Sequence, residues 1–292
     1  MSRTPHPEFR PDPSLSHESM TELQRKIAAT ARFADEFGFD PDAVAIDEAF
    51  DLTTGLPDVT PNATDPNAPI IVGTDQAFLM ADEGVESDGV DDGSNETEDH
   101  PDHAVSAAVA IRDGAVIEYA HAVTSLSIPY VPGLLAFREG EPMLAALDAL
   151  SVEPDLLVCD GSGRIHFREA GIATHIGVIR DVASLGVAKR LLCGEPDEPV
   201  DERPAGWRTP IRADGTVETT SAGTTIGHAY QSRQYPNSRR VNPLYVSPGN
   251  RVSAATTVGL VASLCAGYKL PEPTRLADAH ADRVKRQLVD GD

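Results

Sequence analysis

Three acidic residues could carry chemistry in this chain. The apolar run at residues 69–74 leads into Asp75, and the apolar run at residues 156–159 leads into Asp160. A strand that ends on a carboxylate places that carboxylate at the rim of a sheet, and Glu139, on a helical stretch before the second run, could join the pair. Three oxygen donors at one rim suit Mg²⁺ or Mn²⁺, hard cations that bind phosphate and activate water. The alternative is that both aspartates are ordinary turn residues.

The elements that must position these residues begin with three predicted strands. They cover residues 69–75, 104–111 and 115–123, and the pair Asp113-Gly114 between the last two is typical of a tight hairpin. The first three strands should therefore be antiparallel neighbours. Strands and helices then alternate. Further strands are predicted over 156–160 and 183–188, and helices over 22–37, 133–150, 171–179, 253–266 and 275–288. This order predicts an α/β fold with a mixed sheet flanked by helices.

The chain carries a net charge of −22, and only four of its 24 basic residues are lysine. Acidity spread over the chain with little lysine is typical of proteins from halophiles that accumulate salt in the cell. In molar salt the Debye length is only about 3 Å, so repulsion of a polyanion is screened. The charge therefore does not exclude nucleic acid, although an acidic protein without an anionic partner stays a possible interpretation.

The remaining composition predicts a cytoplasmic monomer. No apolar run approaches the roughly 18–20 residues of a membrane helix, and the N-terminus has no apolar core of a signal peptide. The three cysteines, Cys159, Cys193 and Cys265, are dispersed, which argues against a zinc site or a disulfide framework, and we expect them to be reduced and buried.

The chain divides into a tail and one domain. Residues 1–19, rich in Pro, Ser and charge, predict a disordered tail, and residues 20–292 predict a single domain. Residues 82–102 hold ten acidic residues and no Lys or Arg, which predicts a solvated insertion between the first two strands.

Several motifs together resemble one known family. Residues 128–139 read IPYVPGLLAFRE, which resembles the P-Y-[IV]-P-G-x-L-x-F-R-E signature of endonuclease V. Further segments follow in the order of that family: residues 160–166, 171–177, 186–190, 193–194, 243–253 and 270–275. The resemblance covers roughly residues 22–285 and implies an RNase H-like fold, with three antiparallel strands followed by parallel strands.

The resemblance also implies roles for individual residues. It makes Asp75, Glu139 and Asp160 the carboxylates for Mg²⁺, with Mn²⁺ able to substitute, and Asp278 a further polar residue near the metal. Residues that hold or polarise the phosphate would be Arg138, His166, His175 and Lys189. The segment that enters the duplex as a wedge would be Pro129, Tyr130, Val131 and Pro132. The pocket for the flipped base would be lined by Gly133, Leu135, Gly161 and Ile172.

Physical arguments support part of this assignment. Two prolines stiffen the wedge, and a stiff aromatic tip could fill the gap left by a flipped base; the alternative is a rigid surface turn. Lys189 is notable because lysine is rare here. Residues 221–253 contain four arginines and no Asp or Glu, so we expect Arg239 and Arg240 to face the phosphate backbone, unless this is a solvated loop that merely lacks acids.

The implied activity is hydrolysis of the second phosphodiester bond on the 3′ side of deoxyinosine in DNA. The same chemistry could instead act on inosine in RNA. Two other classes stay open, a non-catalytic nucleic-acid-binding module on the same scaffold and an unrelated acidic α/β enzyme that binds a nucleotide. The unrelated enzyme would leave the ordered motifs unexplained, and the sequence has no phosphate-binding glycine loop to support it.

Overall fold

Hydrophobic runs between residues 70 and 188 form five strands that lie side by side. The computed structural model of the chain describes residues 4–61, 64–79, 103–129 and 131–290. Strand β1 (Ile70–Leu79) pairs antiparallel with β2 (His103–Arg112), and β2 pairs with β3 (Ala115–Ser125). On its other side β1 pairs in parallel with β4 (Leu156–Asp160), and β4 pairs in parallel with β5 (Ala183–Ala188).

The predicted hairpin between β2 and β3 is confirmed. Asp113 and Gly114 have φ angles of 49° and 69°, and two consecutive left-handed residues match the twist of a two-residue hairpin. The predicted mixed sheet, three antiparallel strands followed by parallel ones, is confirmed as well. The predicted acidic insertion, residues 82–102, lies outside the described residues.

Helices cover both faces of the sheet. Helices α2 (Leu135–Asp148) and α3 (Ile172–Arg180) pack on one face, where Val72 and Leu157 point. Helices α4 (Ala254–Leu264) and α5 (Glu272–Asp290) pack on the other, where the neighbouring Ile71 and Val158 point. Alternate residues of a strand point to opposite faces, so a strand that is buried on both faces must be apolar throughout, as β4 is up to Asp160.

The second half of the chain extends the same sheet. Strands β6 (Glu195–Pro196), β7 (Arg208–Arg212), β8 (Thr225–Tyr230) and β9 (Leu244–Asn250) complete the order β3-β2-β1-β4-β5-β9-β8-β7-β6 in the described part of the chain. Strand β9 is antiparallel to β5. It contains Pro248 and Gly249, which are typical of loops, so the sequence pattern does not indicate a strand here.

The expected disordered tail is wrong for residues 4–19. A short 3₁₀ helix forms at Pro7–Phe9, the backbone N–H of His6 donates to the carbonyl of Ile179, and Arg10 pairs with Glu141. The first long helix, α1 (His17–Thr30), begins and ends before the predicted 22–37. Its start is set by Ser16, which caps the N-terminus by accepting from the N–H of Ser19.

All three cysteines are free; Cys159 and Cys193 are buried, as expected, but the expectation is wrong for Cys265, which is half-buried. Among the residues that the structure describes, none of the helices combines the length and the apolar character that spanning a membrane requires.

Candidate active site

The register of two parallel strands brings Asp75 and Asp160 together. The last paired residues of β1 and β4 are Thr74 and Cys159, so the next residue on each strand is an aspartate at the same level. Asp160 ends β4, but β1 continues to Leu79 along β2. The expectation that Asp75 ends its strand is therefore wrong. It lies instead where β1 loses its parallel neighbour, and this opens the sheet beside its side chain.

Asp75 is buried and incompletely satisfied. Its residue is 5% exposed, Oδ1 accepts from the backbone N–H of Gln76 at 2.7 Å, and Oδ2 has no hydrogen-bond partner among the described residues. Burial, followed by the charge of Asp160, raises the pKa of the Asp75 carboxyl well above its ordinary value. A buried carboxyl with one unpartnered oxygen can accept a further hydrogen-bond donor or cation.

Glu139 reaches the rim from the first turns of α2. Its side chain is 13% exposed, and burial raises its pKa to about 7, although the guanidinium of Arg138 at 3.3 Å acts in the opposite direction. Gln76 donates to the backbone carbonyl of Glu139 at 2.8 Å and so ties the helix to β1 directly after Asp75. Sequence analysis missed Gln76, because an amide that bonds a distant carbonyl leaves no pattern.

A lysine and a fourth acid border the carboxylates. The Nζ of Lys189, the residue after β5, lies 3.6 Å from Oδ2 of Asp160. Burial lowers the pKa of Lys189, but the charges of Asp160, Asp75 and Asp278 outweigh burial and raise it. Asp278, on α5, is exposed, and its pKa is raised by partial burial and by Asp282. The lysine is therefore charged beside a concentration of negative charge.

These side chains fit a divalent cation. The buried Oδ2 of Asp75 has no partner, and both Asp75 and Glu139 hold their protons more tightly than ordinary carboxyls do. In the described ranges, no three His, Cys, Asp or Glu side chains already have the spacing of a closed metal cage. An open rim of carboxylates agrees with a hard divalent cation that keeps several waters and binds through few protein ligands.

A cavity of about 450 Å³ lies beside the carboxylates on the α2–α3 side. This volume is within the range of small-ligand pockets. Gly161 has φ of 128°, and a Cβ there would lie 2.6 Å from Cγ2 of Ile172, so only glycine fits. The sequence-predicted residues that line the cavity are Gly133, Leu135, Glu139, Asp160, Gly161, His166, Ile172 and Lys189.

The proposed wedge is a loop between β3 and α2. Pro129 and Pro132 are exposed, Val131 packs against the small apolar cluster around Met20, and Tyr130 lies outside the described residues. Arg138 donates from Nε to the carbonyl of Ile128 at 3.2 Å, and its guanidinium lies 5.0 Å from the ring of Phe78. Arg138 thus connects the start of this loop with Glu139.

The carbonyl of Gly133 receives three donors at the base of the loop. They are Nε2 of Gln24 at 2.9 Å, Nε2 of His166 at 3.1 Å and Nη2 of Arg168 at 3.2 Å. The Nδ1 of His166 accepts from the N–H of Arg168, so both ring nitrogens are used within the protein, and burial lowers the pKa of His166 to about 4. His166 is expected to hold phosphate, but the structure places it as a neutral support for Gly133.

His175 is also expected near the phosphate, and this placement is wrong. It is fully buried on α3, its Nε2 lies 2.8 Å from the carbonyl of Phe9, and its ring meets Phe137 edge-on. Burial lowers its pKa to about 4. The side chain therefore anchors the N-terminal segment to the core.

Arg239 and Arg240 lie in the loop between β8 and β9 and are exposed. Arg239 donates from Nη1 to the carbonyl of Glu202 at 3.0 Å. Pairing of Ala188 with Tyr245 and of Tyr230 with Leu244 shows that this loop leaves the sheet at the end where Lys189 follows β5. Both arginines are therefore at the rim that carries the carboxylates.

A mixed sheet covered by helices on both faces, with carboxylates where its central strands separate, defines a nuclease of the RNase H-like class. The chain belongs to the endonuclease V family: residues 81–279 match the family model described as Endonuclease V. Endonuclease V of the haloarchaeon Natronomonas pharaonis is 51% identical over 285 residues, which cover 98% of each chain. Members of this family are nucleases that hydrolyse phosphodiester bonds with a divalent metal.

Solved structures agree with this fold. The structure of Endonuclease V from Bacillus subtilis has a TM-score of 0.69 and 23% identity, with 96% of this chain and 97% of that chain covered. Endonuclease V from Ciona intestinalis, in complex with a 24mer DNA containing an inosine followed by a ribo-adenosine, has a TM-score of 0.62 and 20% identity. The coverage in that comparison is 93% of this chain and 98% of the Ciona chain.

Proposed function

We propose that this chain is a DNA repair endonuclease that hydrolyses the second phosphodiester bond on the 3′ side of deoxyinosine. The observation that carries the proposal is the pair Asp75 and Asp160, level with each other on parallel strands, beside a cavity walled by Gly161. The complex of the Ciona protein with inosine-containing DNA supports the choice of lesion. One chain contributes the carboxylates, the cavity and the wedge, so the active unit is a monomer.

The metal ligands in this proposal are Asp75, Asp160 and Glu139, with Mg²⁺ as the cation and Mn²⁺ able to replace it. When bound, the cation lowers the pKa of water and stabilises the negative charge on the leaving oxygen. Lys189 is half-exposed and charged, and it places a positive group beside Asp160 for the phosphate at the cut. Asp278 lies farther out, and its negative charge contributes to the raised pKa of Lys189.

The lesion base enters the cavity in this proposal. Gly133 and Gly161 allow the backbone to approach a flat ring closely, and Leu135 and Ile172 offer it apolar surface. The stiff segment of Pro129, Tyr130, Val131 and Pro132 fills the gap in the stack, while His166 and Arg138 brace its two ends. Flipping costs a few kcal/mol and is easiest at a mispaired base, which favours hypoxanthine over normal bases.

The first experiment measures nicking of a labelled duplex with one deoxyinosine in high KCl, with Mg²⁺, Mn²⁺ or EDTA. We expect a metal-dependent nick one nucleotide beyond the lesion. It should be absent in Asp75→Ala and retained in Asp47→Ala, which removes an exposed aspartate. No nick by a folded protein would contradict the proposal.

A matched RNA with one inosine separates the closest alternative, because faster cleavage of that RNA would identify a ribonuclease. Tight binding of both nucleic acids in Mg²⁺ without cleavage would instead identify a non-catalytic binding module.

A further inference from the structure

Two exposed tyrosines and two arginines form a stack on the surface of the chain. The guanidinium of Arg233 lies 5.5 Å from the ring centre of Tyr235 and 5.7 Å from that of Tyr268, and the guanidinium of Arg275 lies 4.1 Å from the ring of Tyr268. The tyrosines are 52% and 42% exposed. These four residues, together with Lys269, are here called the stacked surface.

Buried amides hold the stacked surface in place. The Nε2 of Gln231 donates to the carbonyls of Arg233 and Val241 at 2.7 and 2.8 Å, and the Nε2 of Gln234 also donates to Val241, at 3.1 Å. The hydroxyl of Ser232 donates to the carbonyl of Lys269 at 2.6 Å. The Ser232 bond joins the β8–β9 loop to the segment between α4 and α5, and the amide bonds hold the loop itself, so the backbone that carries the two rings is fixed before any ligand arrives.

The sheet lies between the stacked surface and the base cavity. The cavity belongs to the face covered by α2 and α3. The stacked surface belongs to the face covered by α4 and α5, since Tyr268 and Lys269 connect those helices. Both reach the rim at Asp160 and Lys189, because β9 begins where β5 ends. A strand that crossed this rim from the cavity would therefore be directed toward the stacked surface.

The charge of this region suits a phosphate backbone. Residues 221–253 contain no acidic residue, and Arg233 and Lys269 belong to the stacked surface. Burial, and then the charge of Lys189, lowers the pKa of Lys269. Arg233 and Lys269 can therefore meet a phosphate without a competing carboxylate from residues 221–253.

We propose that the stacked surface binds unpaired nucleotides on the 3′ side of the cleaved bond. Bases stack on Tyr235 and Tyr268, while Arg233 and Lys269 bind the intervening phosphates. Stacking is short-ranged and persists in molar salt, where counterion release contributes little affinity. The assignment rests on the proposed function, because the lesion in the cavity fixes the direction of the strand.

The test uses three deoxyinosine oligonucleotides in molar KCl: a single strand with ten nucleotides beyond the cut, a single strand with one, and a duplex. Dissociation constants are measured by fluorescence anisotropy and cleavage rates under single-turnover conditions. The proteins are the wild type, Tyr235→Ala with Tyr268→Ala, and the matched control Tyr235→Phe with Tyr268→Phe, which keeps both rings. The single variant Tyr235→Ala serves if the double alanine variant does not fold.

We expect the wild type and the phenylalanine variant to bind the long single strand at least tenfold more tightly than the short one. The alanine variant should lose this advantage and change its affinity for the duplex less than twofold, because paired bases cannot stack on the protein. An alanine variant that keeps the advantage, or that weakens all three substrates equally, overturns the assignment. Failure of every protein to cut any deoxyinosine substrate contradicts the proposed function instead.

Discussion

At the scale of residues, the proposed site contains carboxyl groups whose charged form is destabilised by burial. Asp75 and Glu139 are buried, and each binds its proton more tightly than an ordinary carboxyl. The folded state therefore keeps protons that the unfolded state releases, and the stability of the metal-free protein falls as pH rises through that window. For Glu139 the window extends from 4.5 to about 7.

Replacement of Glu139 should show how much burial of its carboxylate lowers the stability of the folded protein. At pH 8 the carboxylate is charged and its burial has the full effect, so Glu139→Gln should stabilise the metal-free protein by about 3 kcal/mol, or roughly 5 °C in Tm. Near pH 4.5 the gain should vanish, and nicking should be lost at every pH. Thermal unfolding in EDTA at the two pH values measures the difference.

The control for this experiment is Glu141→Gln, which removes an exposed carboxylate on the same helix that pairs with Arg10. It should not raise Tm at pH 8. A Glu139→Gln protein no more stable than the wild type at pH 8 would show that burial does not strain this carboxyl.

Sequence reasoning proposed Asp75 and Asp160 because an apolar run followed by an acid is a local pattern, although β1 continues past Asp75. It could not find Gln24, Gln76 or Arg168, which act on backbone carbonyls that lie far away in the sequence. It placed His175 near the phosphate because the motif carries a histidine there, but burial at that position decides its role. Local sequence patterns indicate candidate metal ligands, but they miss side chains that hold distant backbone groups in place.

At the scale of elements, helix α1 supports the wedge loop although it lies outside the sheet. Gln24 is fully buried on α1, and its amide accepts from Nε of Arg168 at 2.7 Å while it donates to Gly133. Gly133, with φ of 81°, is the hinge between the loop and α2. The direction in which the loop leaves α2 therefore depends on α1, although Gln24 and Gly133 are 109 positions apart in the sequence.

Removal of this support should affect duplex substrates more than single strands, because only a duplex has a stack to open. We expect Gln24→Ala to lower the single-turnover rate on a deoxyinosine duplex about tenfold and the rate on the single strand less than threefold. Thr30→Ala, at the exposed end of α1, should leave both rates unchanged. Equal losses on the two substrates would argue for a general loss of structure.

The elements themselves were predictable where their pattern was strong. Strands β4 and β5 have the predicted bounds, since each is an apolar run with breakers on both sides. Strands β7, β8 and β9 were missed, because Pro210, Gly227 and Pro248 interrupt their alternation. Neighbouring strands in the sheet, rather than the local sequence, stabilise them as strands.

At the scale of the whole molecule, a charge of −22 must coexist with binding to a polyanion. Screening in molar salt removes the long-range repulsion and leaves only contacts within a few ångströms. Affinity should then depend on where the few basic residues lie rather than on their total. Arg239 and Arg240 lie in the acid-free window at the catalytic rim.

Charge reversal tests this dependence on position. Arg239→Glu with Arg240→Glu should weaken binding at least fivefold for every sequence, with or without deoxyinosine. Lys26→Glu with Arg286→Glu changes the net charge from −22 by the same amount, four units, at exposed positions on α1 and α5, and it should leave affinity unchanged. Equal effects of the two variants in 2 M KCl would mean that total charge, not position, governs binding.

The position of α5 has a consequence for how the enzyme is made. Helix α5 covers β1 and β2, where Leu276 and Ala277 enter the core, and buried Glu272 accepts from the backbone N–H of Phe50. Strand β1 leaves the ribosome some 200 residues before the helix that seals it. Asp75 of a nascent chain therefore lies on an unfinished sheet until translation has passed α5. On the proposed function, nicking activity is then expected only from chains in which α5 has been made and has packed on the sheet.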